Sequence, residues 1–355
     1  MEIHIEKKLL HFKKPSGTSR GILYDKPSWI LSVRLSNGQI AFGECSVIPG
    51  LSPDFIDENQ YEKKLNALKK ELESDWSEQD FQQISVFTSL KWKNFIHAWI
   101  EYPSIVFGIE SLARDVYNGG KGLIFESGFT RKECSIPING LIWMGDESFM
   151  LAQMEEKLAD GFSTIKMKVG AIEWKKEYAL LEQLRRRFSS QELTLRVDAN
   201  GAFTPGSVMP ILKQLSDLEV HSIEQPIQSG QISAMSELCR NSPIGIALDE
   251  EMIGIHEREH KEALLKMIAP QYIVLKPSLH GGFHGCSEWI QLAEENQIAW
   301  WMTSALESSI GLNAIAQFTA TFSDLIPQGL GTGGLYTNNF DSSLVVSKGQ
   351  LSIMR

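Results

Sequence analysis

Six charged residues stand at the ends of short apolar segments that a folded protein would bury. Burying a lone charge is costly, so such side chains must be paired with an opposite charge or must bind a cation. The segments are TIKMK (164–168), TLRVD (194–198), HSIE (221–224), IALD (246–249) and YIVLK (272–276). The candidate functional residues that they supply are Lys166, Lys168, Asp198, Glu224, Asp249 and Lys276.

The three carboxylates indicate a metal site if the fold brings them together. Asp198, Glu224 and Asp249 would repel one another at close range, and a divalent cation removes that conflict. Ligands that offer only oxygen suit Mg²⁺, with Mn²⁺ as an alternative. Each acid taken alone could equally cap the helix that follows it.

The lysines indicate proton transfer. Lys166 and Lys168 lie two residues apart, so on a strand they share one face, where two ammonium groups lower each other's pKa. A neutral lysine can act as a general base. A solvated strand edge would explain the pair as well, but Lys276 and the three acids at the same period favour chemistry.

These parts together suit removal of the weakly acidic proton next to a carboxylate. The product is an enediolate dianion, which Mg²⁺ would stabilise as it forms. One lysine would take the proton, and a lysine on the opposite side would donate a proton or balance the charge. The expected partner is therefore a small-molecule carboxylate substrate.

The spacing of the polar strand ends predicts the fold. Successive intervals from Asn139 to Thr303 are 29, 30, 26, 25, 27 and 27 residues, about the length of one βα unit. Seven such units favour a parallel barrel over a doubly wound sheet, with the first strand at 136–140 and an eighth near 326–331. The carboxyl ends of barrel strands surround the active site.

The first 130 residues have a different pattern. Strands at 22–33 and 39–44 flank Asn37 and Gly38, a strong hairpin signal. Helices are expected at 57–73 and 104–117. This is an α+β region, and the segment 335–355 is expected to return to it.

Composition narrows the class of protein. The chain of 355 residues carries 34 basic and 44 acidic groups, a net charge of −10, which disfavours nucleic acid as a partner. No apolar run reaches the ~18 residues of a membrane span. Four scattered cysteines favour free thiols in a reducing cytoplasm. The oligomeric state stays open.

The chain resembles the enolase superfamily, and within it the muconate-lactonizing subgroup. The resemblance implies a modified TIM barrel, (β/α)7β, at 131–334. It also implies an α+β capping domain at 1–130 that is completed by 335–355. The motifs that carry it are Lys166-Met-Lys168, Val197-Asp198-Ala-Asn200-Gly, Ile223-Glu224-Gln-Pro226, Leu248-Asp249-Glu-Glu and Leu275-Lys276-Pro.

The resemblance also implies roles for the site residues. Lys168 would be the general base, Lys276 would stabilise the enediolate, and Lys166 would tune Lys168 and neutralise the substrate carboxylate. Asn200 would support the metal site, although a plain turn before Gly201 explains it as well. The implied Mg²⁺ ligands are Asp198, Glu224 and Asp249.

Two segments bear on the substrate. Residues 303–311 combine small residues with the start of a helix, whose amides could hold an anion through Ser304, Glu307, Ser308 and Ser309; a plain helix cap at Ser308 or Ser309 is the alternative. Dipeptide epimerases of the subgroup carry Asp-x-Asp at the eighth strand, where this chain has Gly329 and Gly331. Gly331 would instead border the substrate, and Arg20, in a loop between glycines, could approach an anionic substrate or face solvent.

The resemblance therefore favours a dehydratase of the subgroup, which acts on a succinyl-substituted cyclohexadiene carboxylate. N-succinylamino acid racemase, muconate cycloisomerase and dipeptide epimerase are the enzyme alternatives. A catalytically silent binding protein is the alternative outside enzymes.

Overall fold

The computed structural model of the protein describes residues 1–18 and 21–354. It begins with an antiparallel sheet of three strands, β1 (Ile3–Thr18), β2 (Gly21–Arg34) and β3 (Ile40–Ser46). Gly38 lies in the β2–β3 turn with a φ of 84°, a conformation that glycine adopts without steric cost. The predicted hairpin is therefore present.

Four helices follow this sheet: α1 (Glu58–Asp75), α2 (Glu78–Phe81), α3 (Leu90–Ala98) and α4 (Pro103–Tyr117). Of these, α1 and α4 pack directly on the sheet. A short 3-10 turn, Ile84–Thr88, precedes α3. The helix α4 is almost wholly buried, because it lies between the sheet and the barrel. A Cβ at Gly43 would lie only 2.1 Å from the carbonyl oxygen of Gly108, so this close approach of β3 and α4 requires glycine.

Seven parallel strands follow in sequential order after the short β4 (Ile136–Pro137). They are β5 (Gly140–Ile142), β6 (Thr164–Lys168), β7 (Thr194–Asp198), β8 (Ser222–Glu224), β9 (Gly245–Leu248), β10 (Tyr272–Leu275) and β11 (Ala299–Met302). Helices cover them outside: α5 (Glu147–Ala159), α6 (Trp174–Arg187), α7 (Pro205–Asp217), α8 (Ile232–Asn241), α9 (Arg258–Ile268), α10 (Gly282–Glu295) and α11 (Ser309–Thr319). A 3-10 turn, Glu250–Met252, follows β9.

A two-residue segment closes the sheet into a barrel. Gln328 bridges Ile138 and Gly329 bridges Thr303, both in parallel pairing. The amide of Asn139 donates to the Gln328 carbonyl at 2.9 Å, and the amide of Gly329 donates to the carbonyl of Met302 at 2.8 Å. These residues act as the eighth strand, and the fold is the expected (β/α)7β barrel with a capping α+β region.

The C-terminal segment contacts both parts of the chain. The amide of Lys13 on β1 donates to the carbonyl of Leu335 at 2.8 Å. Beyond it, β12 (Leu344–Ser347) and β13 (Gln350–Ile353) form a hairpin, and β13 pairs with β4. The division of the chain at residues 130 and 334 stays a prediction.

Two elements differ from expectation. The strand expected at 136–140 is split, because 136–137 pairs with β13 while the barrel strand runs from Gly140 to Ile142. The long β1 was not predicted, since its four lysines and Pro15 obscure any alternation of polar and apolar residues. No helix in the described part of the chain is long and apolar enough to cross a membrane.

Candidate active site

A cavity of about 160 Å³ opens at the carboxyl ends of the barrel strands. The capping region covers it with an apolar wall that includes Leu23, Ile48 and Leu51. The barrel contributes all six charged candidates, so the structure gathers them at one place: Lys166, Lys168, Asp198, Glu224, Asp249 and Lys276.

Both lysines of β6 reach the same carboxylate. The Nζ atoms of Lys166 and Lys168 lie 2.9 and 3.0 Å from Oδ2 of Asp198. Lys166 also donates to Oε2 of Glu224 at 2.6 Å, and Lys168 donates to Oδ1 of Asn200 at 2.7 Å. The shared strand face expected from their spacing is therefore observed.

Lys276 extends the cluster from β10. Its Nζ donates to Oδ2 of Asp249. All six charged residues are at most 9% exposed, so the cavity holds three buried cations against three buried carboxylates.

The charges of the cluster shift its pKa values. Burial favours neutral lysines, but the carboxylates outweigh it and raise the pKa of Lys166 and of Lys276 above the usual range. Burial and the repulsion of Asp198 raise the pKa of Glu224 to about 7. The pKa of Asp198 is lowered, because the attraction of Lys166 and Lys168 exceeds the effect of burial.

The donor atoms suit a hard divalent cation. Oε1 of Glu224 and Oδ1 of Asp249 are buried and have no hydrogen-bond partner among the described residues, and such oxygens are costly unless something binds them. Within 1–18 and 21–354, no three acidic, histidine or cysteine side chains are arranged to hold a cation, because these carboxylates form ion pairs with the lysines.

A second layer of residues fixes the strand ends. Asn200 and Gln225 have φ values of 43° and 40°, a left-handed conformation that is uncommon outside glycine and clusters at functional sites. Oε1 of Gln225 accepts the amides of Asp249 and Glu251 at 3.1 and 3.2 Å. Gln225 thus holds the turn that carries Asp249, a role that the sequence did not suggest.

The loop after β11 differs from the sequence expectation. Ser304 lines the cavity and its hydroxyl lies 2.6 Å from that of Thr332, whereas Glu307, Ser308 and Ser309 do not line it. The carboxylate of Glu44 accepts the Ser308 amide at 2.9 Å.

Two more backbone amides at the N-terminus of α11 also donate to protein side chains. Glu44 accepts the amide of Gly311 at 2.8 Å, and Oδ1 of Asn339 accepts that of Ser309 at 2.8 Å. The expectation that these amides face a substrate anion does not hold here, because protein side chains occupy them. Ser308 is instead the N-cap of α11, as the alternative interpretation of this segment predicted.

The eighth strand leaves room for a side chain at one glycine and not at the other. A Cβ at Gly329 would lie 2.3 Å from Oγ1 of Thr303, whereas a Cβ at Gly331 would meet its neighbours at 3.5 Å or more. Both glycines line the cavity. An Asp-x-Asp pair could not be placed here without moving Thr303. Arg20 lies outside the described residues.

Sequence reasoning missed further residues at or near the cavity. Asn139 and Trp143, on either side of β5, line the cavity next to β6 and its lysines. Arg196 is buried on β7, where its guanidinium lies 4.3 Å from the Trp301 ring. An arginine inside the strand sequence TLRVD was a visible signal for a buried charge.

A parallel barrel with this cluster at its carboxyl ends is the arrangement of enolase-type enzymes. Residues 150–354 match the family described as enolase C-terminal domain-like. The chain belongs to the enolase superfamily.

Individual relatives narrow the comparison. The chain is 46% identical to the o-succinylbenzoate synthase of Desulfotalea psychrophila, over 99% of each sequence. The crystal structure of MenC from that organism superposes with a TM-score of 0.87 at 43% identity, covering 99% of both chains. The N-succinyl-L-Arg/Lys racemase of Bacillus cereus is 24% identical over 88% of this chain and 81% of its own.

Proposed function

We propose that this chain catalyses the o-succinylbenzoate synthase reaction. The substrate is 2-succinyl-6-hydroxy-2,4-cyclohexadiene-1-carboxylate, and syn loss of water gives o-succinylbenzoate. The observation that carries the proposal is the cluster of three lysines and three carboxylates in one covered cavity. The full-length similarity to a synthase of this name supports the choice of reaction.

The three lysines of the cavity have different roles in the proposed reaction. Lys166 is held as an ammonium by two carboxylates, and its positive charge neutralises the substrate carboxylate. Lys168 takes the proton next to the ring carboxylate and returns it to the departing hydroxyl on the same face. The C–H and C–O bonds break, water leaves and the ring becomes aromatic. Lys276 balances the negative charge of the enediolate from β10.

Asp198, Glu224 and Asp249 are the proposed ligands of Mg²⁺, with Mn²⁺ as a substitute. When bound, the cation supplies an electrophile for the substrate carboxylate. The buried oxygens of Glu224 and Asp249, which have no hydrogen-bond partner in the described part of the chain, support the assignment.

The test is direct conversion. Purified protein with Mg²⁺ and the cyclohexadiene substrate should show loss of the diene absorbance and formation of o-succinylbenzoate. Absence of conversion, together with racemisation of an N-succinylamino acid, would overturn the assignment.

N-succinylamino acid racemisation is the second candidate. It needs two lysines around one substrate carbon, and Lys168 and Lys276 both line the cavity from different strands. A deuterium wash-in assay with N-succinyl-arginine in heavy water distinguishes the two activities. Dipeptide epimerisation is less favoured, because Gly329 offers no space for an acid that would hold an ammonium group.

We infer a place in menaquinone biosynthesis from the proposed product. The four cysteines are all free thiols, which supports the proposed cytoplasmic location.

A further inference from the structure

A buried network of charges joins the capping region to the loop that carries Lys276. Glu307 is fully buried, and the hydroxyl of Ser278 donates to its Oε1 at 2.5 Å. Its Oε2 has no hydrogen-bond partner among the described residues. The carboxylate lies outside the substrate cavity, so the proposed reaction does not use it directly.

The capping region supplies the charges around Glu307. The ammonium of Lys26 on β2 is buried, donates to Oγ of Ser46 at 2.5 Å and attracts the carboxylates of Glu44 and Glu307. Burial raises the pKa of Glu307 to about 7, and Lys26 opposes that rise. A buried carboxylate without such a neighbour would be strongly destabilising.

Ser278 belongs to the tight turn that begins at Lys276. The amides of Leu279 and His280 donate to the carbonyl of Lys276 at 2.8 and 3.0 Å, and the Lys276 amide donates to Nδ1 of His280 at 2.9 Å. This turn fixes the backbone of Lys276, and Ser278 is the point where it is attached to the neighbouring loop.

We propose that Glu307 is a positioning residue for Lys276 and acts through the hydroxyl of Ser278. The ammonium of Lys26 holds Glu307 in place from the capping region, against the repulsion of Glu44. Lys276 thereby stays aligned with the cavity only while the capping region is docked. Displacement of a catalytic group by about 1 Å can cost up to 10²-fold in rate, so the effect should be measurable.

The proposal rests on the proposed function, because turnover is its main readout. Ser278→Ala removes the attachment and leaves every buried charge in place. We expect kcat to fall about tenfold with KM within about twofold, since Ser278 does not line the cavity. The control is Ser111→Ala in α4, where a buried hydroxyl donates to Phe107 O at 2.7 Å; its kcat should not change.

A double variant tests whether Glu307 acts through Ser278. Glu307→Gln should lower kcat alone, and adding it to Ser278→Ala should lower kcat no further. Equal losses in Ser278→Ala and Ser111→Ala, or a kcat of Ser278→Ala within twofold of the wild type, would overturn the positioning role.

A crystal structure of Ser278→Ala gives a readout without turnover. Nζ of Lys276 should leave Asp249, and an unmoved Lys276 contradicts the proposal even if the wild-type protein dehydrates nothing. Wild-type inactivity on the diene would contradict the proposed function alone.

Discussion

The carboxylate of Glu44 accepts the backbone amide of Ser308 at 2.9 Å, across 264 residues of sequence. Its second oxygen accepts the amide of Gly311. An acid on the last strand of the capping sheet therefore fills the N-terminus of α11, where the helix dipole favours negative charge. The same contact ties the capping region to the loop that lines the cavity.

Glu44→Gln should weaken this contact between the two regions. A neutral amide cannot accept from all the donors, and Lys26 loses a compensating charge, so we expect the free energy of unfolding to fall by about 3 kcal/mol. Urea unfolding measures it. Glu78→Gln is the control, because Glu78 accepts two similar hydrogen bonds from Ser36 near the surface and should cost less than about 1 kcal/mol. Equal losses in both variants would contradict a special role for Glu44.

Lys168→Met should abolish proton removal. The base is lost while the apolar stem remains, and general base catalysis contributes up to about 10⁴-fold, so kcat should fall at least about 10³-fold. Stopped assays with the cyclohexadiene substrate measure it, with Lys213→Met in the exposed part of α7 as control. Turnover within tenfold of the wild type would show that another group is the base.

Asp198→Asn should weaken Mg²⁺ binding. An amide has no charge to offer a cation, so calorimetric titration should give at least about tenfold lower affinity than the wild type. Asp217→Asn, at the exposed end of α7, should bind Mg²⁺ normally. Unchanged affinity in Asp198→Asn would show that Asp198 is not a ligand of the metal.

Glu110 predicts a pH dependence of stability. Burial raises the pKa of this carboxyl to about 7 from an ordinary 4.5. The folded state therefore holds the proton more tightly than the unfolded state. Stability from this group is present below pH 4.5 and is lost as pH rises toward and past 7, by about 3 kcal/mol in full.

Glu110→Gln removes that titration. Its unfolding free energy minus that of the wild type should increase between pH 5 and pH 8, because other groups cancel in the difference. Urea unfolding at several pH values measures it. A difference that stays constant across this range would show that Glu110 does not titrate there.

Gly329→Ala should disturb the closure of the barrel. The new Cβ would lie 2.3 Å from Oγ1 of Thr303, and such overpacking costs about 1 to 3 kcal/mol. Gly331→Ala is the matched control, since its Cβ meets only ordinary contacts. Thermal unfolding compares the two, and equal melting temperatures would contradict the packing argument.

The sequence predicted the barrel strands well because each is an apolar run with a polar residue at its carboxyl end. Such a pattern is local, and it placed β6 and β7 at their observed bounds. The closing segment was expected within 326–331, but only Gln328 and Gly329 pair, and two residues carry no periodic signal.

The helix start at Ser308 could not be interpreted from sequence alone. Glycine and serine at a helix N-terminus signal available amides, but whether a ligand or a protein side chain takes them depends on tertiary structure. Here the occupant, Glu44, lies on another sheet. The position of Glu307 depends in the same way on Lys26 and Ser278, which are far away along the chain.

The pairing of residue 138 with residue 328 has a consequence for synthesis on the ribosome. Until the segment at 328–329 has emerged, β5 and β11 each present an edge of unpaired backbone groups, and such edges invite association with other chains. The barrel therefore spends most of its translation as an open, curved sheet. Nascent chains stalled before residue 328 should need chaperone protection, whereas chains that include it can close.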